Sequence, residues 1–513
     1  MLDIDKETNP EVLRQAAKMA LADNKRLVQR IVTLTEEVAQ LRGQQGNEVQ
    51  LELNRLQEQL AELRTELYGQ KSERRGRHKH KGPRKKQSGH GPKAQLQLER
   101  VEQEHRLDEA DCICPKCGGT LTPWPGQQEQ SEEVDVIERK LILRIHTKLK
   151  YRCHDCKDHV ETALSPEKLI PGGRYSTDFA VEVAMDKYGD HNPLERQVRK
   201  MRREGLDVSS QVLWDQVWAL TQALRPVYDA LGDYIRSALV LCADETGWRM
   251  LGKKVKGRWY LWGACRKRAA YYEIMDSRSQ EAGAKLLQDF SGTLVCDAYS
   301  AYTALAKARE AALQLGLEHA GGQADVPERL GPLVLACCWS HARRPFAKQK
   351  ESYPEDCKHA LDLIGKLYDV ERQVPFEPAT GEALEKQLAL RAHLRDTVSR
   401  PIVVELMKWA EQAQGRYLPS SKMGKGLAYL LNQRKRLEVY LDDPMVPIDN
   451  NQMERGLRNP VIGRKNFYGT KSLRGADAAA VLYSIIESCR LSGVEPKAYL
   501  RYAASHAARI TSS

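Results

Sequence analysis

The sequence predicts a multidomain chain of the α+β class, in which helical segments accompany a mixed α/β core. Three observations predict it. Apolar residues recur in alternating steps of four and three between Leu27 and Leu67. Two Cys-x-x-Cys pairs follow, and then two short apolar runs that each lead into an aspartate, at Asp244 and Asp297. The chain has 513 residues, of which 41% are hydrophobic, so it is long enough to form several cores.

Charge and composition restrict the class of partner. The net charge is +11 and the basic residues are clustered, which is typical of a protein with a polyanionic partner. No apolar run approaches the roughly 18 residues that cross a bilayer, and the N-terminus lacks the pattern of a signal peptide. The 12 cysteines are too sparse for a disulfide scaffold. We therefore expect a cytoplasmic protein with no membrane partner.

Residues 1–70 are predicted to form a coiled-coil zipper. The heptad pattern is interrupted near Gly43 and Gly46, which indicates a break or hinge between two helical segments. An amphipathic helix that packs on its own protein would show the same pattern. Self-association through this segment is the favoured interpretation, and the orientation and number of the helices stay open.

Residues 71–105 are predicted to be a basic linker. The segment is of low complexity and cannot bury a core, so we expect it to be disordered when free. Its side chains suit the phosphates of DNA, although a solvated linker without a partner would have the same composition. The residues predicted to bind DNA here are Lys71, Arg74, Arg75, Arg77, Arg84, Lys85 and Lys86.

Residues 106–165 are predicted to form a zinc ribbon. Cys114 and Cys117 form one Cys-x-x-Cys turn and Cys153 and Cys156 form a second, so that four thiolates complete a tetrahedral site. The insert between the turns alternates polar and apolar residues, which predicts strands. Further potential ligands are Cys112, His154 and His159. We expect one structural Zn2+, with accidental pairs of free cysteines as the alternative.

Residues 166–232 are predicted to be helical. A capped segment opens at Ser176, a strongly basic segment starts at Pro193, and a third helix follows a short turn. This order is similar to a helix-turn-helix, with Arg196 and Arg199 as DNA-binding candidates. A plain helical connector with a solvated basic face fits the pattern equally well.

Residues 233–350 are predicted to be the first part of the α/β core. The run 239–243 has the pattern of a buried strand that ends in Asp244, and the run 294–296 predicts a second strand, which ends in Asp297. Two strand-like runs and a helical segment lie between them. This order is compatible with a ribonuclease-H-like fold, in which the first and fourth strands are neighbours, so that the two aspartates would meet. Buried acids of this kind need a metal ion or a cationic partner.

A third acid, Glu454, opens the second part of the core, residues 447–513. A long helical pattern over 351–446 precedes it and predicts an all-helical insertion. Two strand-borne aspartates and a helix-borne glutamate suit a two-metal site of the nuclease type. Glu454 alone would also fit a helix-capping acid that follows an Asn451 cap, and Asp449 competes for the place of the third ligand.

Basic residues near the acids are candidates for contacts with DNA. Arg343 and Arg344 follow the next predicted strand, and a glycine-punctuated segment around Phe467 and Tyr468 interleaves aromatic with basic residues, which predicts a loop that contacts a DNA strand. An ordinary surface loop is the alternative. The DNA-binding candidates of this region are His341, Arg343, Arg344, Arg464, Lys465 and Lys471.

The chain resembles bacterial transposases of the DDE class, specifically the Insertion Sequence 66 family. The resemblance covers most of the chain. Its motifs are Leu67-Tyr68-Gly69 with Lys71-Ser72-Glu73, the two Cys-x-x-Cys pairs, KYGDHNPLERQVRKM, ADETGW, LVCDAYSAY, CCWSHARRPF, DNNQMERGLR and IGRKNFYG. Small departures, such as Ala298 and Tyr68, leave every acid intact.

The resemblance implies a function and a set of site residues. It implies Asp244, Asp297 and Glu454 as catalytic acids that hold two Mg2+ (or Mn2+) ions, and Cys338 with His341 as a cysteine-x-x-histidine string that recurs in several DDE groups. The implied substrates are terminal inverted repeats and target DNA. The implied partners are small accessory proteins encoded in the same element, and we expect the protein to associate with the nucleoid.

Three other classes of protein stay open at this point. A DNA-binding regulator would keep the zipper, the ribbon and the helices without catalysis, but the intact acids argue against it. A ribonuclease-H-fold nuclease or resolvase would cut DNA without joining it. A structural coiled-coil zinc protein would leave the three acids unexplained.

Overall fold

The computed structural model describes most of the chain from residue 140 onward. The described residues are 26, 30, 33, 34, 116–118, 120, 140–152, 160–163, 167–252, 257–318, 331–376 and 380–510. The chain divides into two compact units, one of which is Gly69–Ile142 and the other Met1–Tyr68 with Leu143–Ser513. All the helices and strands named below belong to the larger unit, which contains Leu143–Ser513. The predicted basic linker lies outside the described residues, as does the predicted zipper apart from four exposed helical positions.

A short antiparallel pair of strands flanks the second Cys-x-x-Cys segment. β1 (Lys150–Arg152) pairs with β2 (Val160–Thr162). The strand prediction is wrong for residues 141–149, which form no regular structure. Leu143 and Ile145 in this stretch are 75% and 83% exposed. Alternation alone does not make a strand, because the backbone also needs a pairing partner, and no described strand pairs with residues 141–149.

A five-stranded mixed sheet forms the centre of the described core. Its strands are β3 (Val240–Trp248), β4 (Trp259–Arg266), β5 (Ala269–Met275), β6 (Gly292–Cys296) and β7 (Leu333–Cys337). The spatial order is β5-β4-β3-β6-β7, with antiparallel pairing from β3 to β5 and parallel pairing from β3 through β6 to β7. The two strands that carry the predicted aspartates are therefore neighbours, as the order of elements in the sequence predicted.

β3 is longer than the sequence indicated. The apolar run stops at Ala243, but the strand continues through Asp244 to Trp248, which pairs with Trp259 of β4. Pairing with β6 ends at Cys242. The prediction that the strand ends in Asp244 is therefore wrong for β3 as a whole, because β4 supports polar residues that the apolar pattern did not include. Asp244 lies just beyond the point where the parallel pairing stops.

Four helices precede the sheet. They are α1 (Thr177–Tyr188), α2 (Leu194–Arg203), α3 (Ser210–Ala223) and α4 (Arg225–Arg236). Serine side chains cap two of them: Ser176 accepts a hydrogen bond from the N–H of Phe179, and Ser209 accepts one from the N–H of Val212. Residues 177–236 are thus mainly helical, and α1 packs against α3.

The remaining helices follow the strands. They are α5 (Gln280–Leu287), α6 (Ser300–Glu318), α7 (Trp339–Gln349), α8 (Pro354–Gln373), α9 (Gly381–Leu394), α10 (Arg400–Gln414), α11 (Lys422–Asn432), α12 (Arg434–Asp442), α13 (Asn451–Phe467), α14 (Leu473–Ser492) and α15 (Pro496–Ile510). A π-helical turn, Arg395–Ser399, joins α9 to α10. The described part of 351–446 is therefore mainly helical, with α11 packed on α7 and α12 packed on β7.

Helix α14 covers the edge strand β5. The N–H of Tyr272 donates to Oγ of Ser484 at 2.8 Å, and the N–H of Ala270 donates to Oγ of Ser488 at 3.0 Å. An uncovered edge would leave these backbone groups available to pair with another chain. Although α14 is buried on most of its surface, no helix in the described ranges is long and apolar enough to cross a membrane.

Two buried arginines join the helical insertion to the segment that precedes α13. Arg395, which is fully buried, forms a two-pronged ion pair with Glu371 at 2.7 Å and donates to the carbonyls of Asp443 and Val446 at 2.9 and 3.0 Å. Arg391 donates to the carbonyl of Pro444 at 3.0 Å. Because these bonds satisfy backbone carbonyls of residues 443–446, they fix the direction in which the chain enters α13.

Candidate metal and catalytic site

The register of the parallel strands brings the two aspartates together. Val240 of β3 lies opposite Thr293 of β6, and Cys242 lies opposite Val295. Continued by two residues, the same register places Asp244 opposite Asp297. Since side chains alternate between the two faces of a sheet, Asp244 lies on the face of Cys242, and the same alternation continued past the end of β6 would place Asp297 on that face. Both aspartates are half-buried.

Asp244 is surrounded by other acidic side chains, which affect its pKa. The pKa of Asp244 is raised from 3.8 to about 7, first by burial and then by the charge of the adjacent Glu245. The charges of Asp297 and Glu454 act in the same direction, so both acids lie close enough to Asp244 to disfavour its ionisation. The N–H of Glu245, which donates to Oδ1 of Asp244 at 2.9 Å, opposes the shift. A bound cation would relieve this repulsion.

Asp297 is oriented by Tyr299. The backbone N–H of Tyr299 donates to Oδ1 of Asp297 at 3.0 Å. The hydroxyl of Tyr299 donates to the carbonyl of Arg278 at 2.7 Å, and the Arg278 guanidinium lies over the Tyr299 ring, 3.8 Å from its centre. Because Tyr299 is held at both ends, the direction of the Asp297 carboxylate is restricted.

Glu245 is a buried acid that the sequence analysis missed. Its side chain is fully buried, and Nε and Nη2 of Arg278 donate to its Oε1 at 2.8 and 2.5 Å. The hydroxyl of Tyr302 donates to its Oε2 at 3.0 Å. One signal was present: the residue after Asp244 in a strand points to the opposite face, so a second acid there must be buried with a partner of its own.

Glu454 is carried to the aspartates by the start of α13. The side chain of Asn450, which precedes the helix and is fully buried, donates through Nδ2 to the carbonyl of Ala243 at 2.9 Å. The N–H of Asn450 donates to Sγ of Cys338 at 3.2 Å. The beginning of α13 is thus anchored to the β3 residue next to Asp244 and to the residue that follows β7.

A glycine on β4 makes room for α13. Gly263 lies directly opposite Asp244 in the antiparallel pair, and a β-carbon at Gly263 would overlap Cε of Met453, the residue before Glu454. Met453 is fully buried. The close approach of helix and sheet at this point therefore depends on the absence of a side chain at Gly263.

The structure separates the alternatives for the third acid. The helix starts at Asn451 after Asn450, so Glu454 occupies the fourth helical position, and its capping role is wrong because the cap lies one residue earlier than expected. The carboxylate of Asp449 accepts bonds from the N–H of Asn451 at 3.0 Å and from Ser340 at 3.4 Å. By contrast, Oε1 of Glu454 is buried without a hydrogen-bond partner.

Two cationic or titratable side chains of α7 face Glu454. His341 Nε2 lies 3.7 Å and Arg344 Nη2 lies 3.8 Å from Oε1 of Glu454. Burial lowers the pKa of His341, and Arg344 lowers it further, against the opposing effects of Glu454 and Asp297. Asp244, Asp297 and Glu454 offer carboxylate oxygens, the ligand type that Mg2+ and Mn2+ prefer, and one oxygen of Glu454 is buried without a hydrogen-bond partner, so the residue types fit such an ion.

Three of the predicted DNA-binding residues lie at or just after the end of α13. The half-buried Arg464 and the exposed Lys465 lie on the last turns of α13, so the prediction of a loop is wrong for them; Lys471 is exposed in the turn that follows. The sequence suggested a loop because of Gly463, but this glycine is buried inside the helix, where a β-carbon would overlap the hydroxyl of Tyr483. The helix instead ends at Tyr468, in the left-handed conformation.

The other predicted site residues lie apart from the acids or outside the described residues. Arg196 and Arg199 are exposed on α2, whose opposite face is buried through Val198 and Met201. Cys117 is described and exposed. The residues that lie outside the described ranges are Cys114, Cys153, Cys156, Lys71, Arg74, Arg75, Arg77, Arg84, Lys85 and Lys86.

The fold defines the chain as a mixed α/β protein whose central sheet carries Asp244, with Asp297 and Glu454 near enough to raise the pKa of that acid. Residues 172–478 match the family model described as Transposase IS66 family. The chain belongs to that family.

Two proteins from one bacterial strain align with most of the chain. In Sinorhizobium fredii (strain NBRC 101917 / NGR234) the uncharacterized protein y4qI is 30% identical over 416 residues, 79% of this chain and 71% of that protein. The uncharacterized protein y4hP of the same strain is 28% identical over 422 residues, 78% of this chain and 71% of its own length. The match therefore extends well beyond the core sheet.

Proposed function

We propose that the protein is a DDE transposase that binds the terminal inverted repeats of an insertion sequence, cleaves the element ends and joins the freed 3′-OH to target DNA. Membership of the transposase family supports a role in transposition and a DNA partner. The observation that supports the catalytic part is the effect of Asp297 and Glu454 on the pKa of Asp244, together with the β3–β6 register and the bond from Asn450 to β3 at the start of α13. The sheet order is consistent with a ribonuclease-H-like core.

The three acids would hold two Mg2+ or Mn2+ ions. Bound there, such ions activate a water or a 3′-OH for attack and stabilise the leaving oxygen of an in-line phosphoryl transfer. The protein supplies position: Tyr299 restricts the Asp297 carboxylate, and Asn450 fixes the distance between α13 and β3. No covalent bond between enzyme and DNA is required.

Basic side chains of α7 and α13 would hold the scissile phosphates. Arg344 is about half exposed and already lies near Glu454, and Arg343 precedes it on α7. Arg464 and Lys465 extend from the far end of the helix that carries Glu454. Charged donors of this type bind the phosphate oxygens and compensate the charge that develops in the transition state.

The remaining parts of the proposal concern assembly. The N-terminal zipper would pair protomers in a synapse, one structural Zn2+ would fold the ribbon, and the basic linker with α2 would contact DNA without strong sequence preference. Small accessory proteins of the same element and association with the nucleoid complete the proposal.

The test is cleavage and joining of labelled element-end DNA with Mg2+, in which the wild type is compared with Glu454→Gln and with Asp449→Asn as the matched control. We expect both products to be lost in Glu454→Gln and retained in Asp449→Asn, because Asp449 is occupied by internal hydrogen bonds. Loss in Asp449→Asn alone would move the third ligand to Asp449. Nicked DNA without joined product would indicate a nuclease, and binding without cleavage, even with the accessory proteins, would indicate a regulator.

A further inference from the structure

A second set of ligand atoms converges on Glu454 from the side of α7. Sγ of Cys338, a ring nitrogen of His341 and a carboxylate oxygen of Glu454 all lie within 4.8 Å of one another. Two atoms of these side chains, Oε1 of Glu454 and Nδ1 of His341, are buried without hydrogen-bond partners. The cluster thus has the size of a coordination shell and unused donor capacity.

The chemistry of the three ligands differs from that of the aspartate pair. A thiolate, an imidazole and a carboxylate are the ligands of Zn2+, and three protein ligands with one open position are typical of reactive zinc sites. Mg2+ avoids sulfur and prefers oxygen ligands. Glu454 is therefore shared by two candidate ligand sets: oxygen ligands together with the two aspartates, and a sulfur and nitrogen set together with Cys338 and His341.

The position of the sulfur atom is fixed. Cys338 is fully buried at the N-terminus of α7, and its Sγ accepts a hydrogen bond from the backbone N–H of Asn450 at 3.2 Å. Access for an ion exists on the other side of the cluster, where the side chains of His341 and Glu454 are 19% and 27% exposed.

We propose that Cys338, His341 and Glu454 form a site for a thiophilic divalent cation of the Zn2+ class, which withdraws Glu454 from the aspartates and so inhibits the Mg2+-dependent reaction. The binding part stands on the cluster alone, whereas the inhibitory part rests on the proposed function. Binding would release the thiol proton to solvent and involves no oxidation or reduction.

The first experiment measures binding of Co2+ to the full chain without DNA, by equilibrium dialysis and by thiolate-to-cobalt charge-transfer absorption. Wild type is compared with Cys338→Ser, His341→Ala and the matched control Cys337→Ser. Cys337 is an adjacent buried cysteine whose Sγ faces Gln433 instead. The ribbon cysteines are unchanged in all four proteins, so whatever they bind cancels in the comparison.

We expect the wild type and Cys337→Ser to bind one more Co2+ per chain than Cys338→Ser and His341→Ala. Equal binding by all four proteins would overturn the proposal. Thermal unfolding without metal shows which variants are folded. If Cys338→Ser does not fold, the comparison of His341→Ala with wild type decides the outcome.

The second experiment measures inhibition of Mg2+-dependent cleavage by Zn2+, each variant relative to its own activity without Zn2+. We expect half-inhibition of His341→Ala to require about tenfold more Zn2+ or above, as is usual when a metal site loses a contact. Unchanged inhibition would overturn the competition. A wild type that binds the additional Co2+ but never cleaves DNA would support the site and contradict the proposed function, so the two failures are distinguishable.

Discussion

At the scale of single residues, the site depends on buried charges that are paired behind the catalytic face. Glu245 points away from Asp244 and is neutralised by Arg278, which also packs on the Tyr299 ring. One guanidinium therefore connects the β3 strand to the residue that orients Asp297. Without it, an uncompensated buried carboxylate would lie directly behind the acid cluster, where like charges disfavour ionisation of Asp244.

Arg278→Met is expected to lower both stability and activity. It leaves the Glu245 carboxylate with only the Tyr302 hydroxyl as a partner, which costs about 1–3 kcal/mol or more for a charged group. Urea unfolding measures the loss. The matched control is Arg400→Met, because Arg400 is 40% exposed against 38% for Arg278 and pairs with other acids, Asp396 and Asp442. Equal loss in the two variants would contradict a special role for Arg278.

The titration of Asp244 makes a prediction about pH. Its pKa is about 7 in the folded, metal-free chain and 3.8 when unperturbed, so the folded chain binds the proton more tightly. Stability is therefore expected to fall as the pH rises from about 4 to about 7. In EDTA, Asp244→Asn should lose this fall and become more stable than wild type near pH 8.

The control for this experiment is Asp207→Asn, since Asp207 is 89% exposed. Urea unfolding across the same pH range compares the three proteins. The quantity of interest is the free energy of unfolding of the wild type minus that of Asp244→Asn. If this difference rises between about pH 4 and pH 7, the Asp244 carboxylate already has a cationic partner in the free protein, which would contradict the prediction.

At the scale of elements, the position of α13 decides whether Glu454 reaches the aspartates. Asn450 anchors the helix start to β3, and Gly263 allows Met453 to lie against β4. The helix continues to Phe467 through Pro460 and the buried Gly463, so that one rigid element carries Glu454 near one end and Arg464 near the other. A small shift of this helix would move the acid relative to both aspartates.

Gly263→Ala tests this packing. The new methyl group would overlap the Met453 side chain and approach the Tyr272 ring, so we expect a loss of about 1–3 kcal/mol and slower cleavage. Met453→Ala in the same chain should restore part of the activity, because it vacates the space. Gly247→Ala is the control, since a β-carbon at Gly247 on β3 would meet no atom within 4 Å. Wild-type cleavage by Gly263→Ala would show that α13 tolerates displacement.

Local patterns predicted some elements better than others. The two aspartates were found because a short apolar run before an acid is visible within a few residues, and the neighbourhood of β3 and β6 followed from the order of strands and helices. The partners of Glu245 were not found, because Arg278 and Tyr302 are distant in sequence and meet it only in the folded chain. The strand expected before Lys150 failed for the related reason that pairing is not a local property.

At the scale of the whole molecule, two groups of helices pack on the two sides of the central sheet. The helices before the sheet pack with α14 and α15 at the C-terminal end of the chain, on the side of β5. The helical insertion packs on α7 and β7 at the other side, and buried Arg395 and Arg391 tie it to residues 443–446. The segment that enters α13 is therefore held by the insertion, which gives the insertion a structural role in placing Glu454.

The central claim is that Asp244 and its neighbouring acids hold metal ions for DNA cleavage. The most direct measurement is cleavage of element-end DNA by Asp244→Cys in Mg2+ and in Mn2+, with DNA binding measured in parallel. Both ions prefer oxygen ligands, but Mn2+ tolerates a thiolate better than Mg2+ does, so we expect no cleavage in Mg2+ and partial recovery in Mn2+. Full cleavage in Mg2+, or no cleavage with either ion while DNA is bound normally, would contradict a metal-ligand role for Asp244.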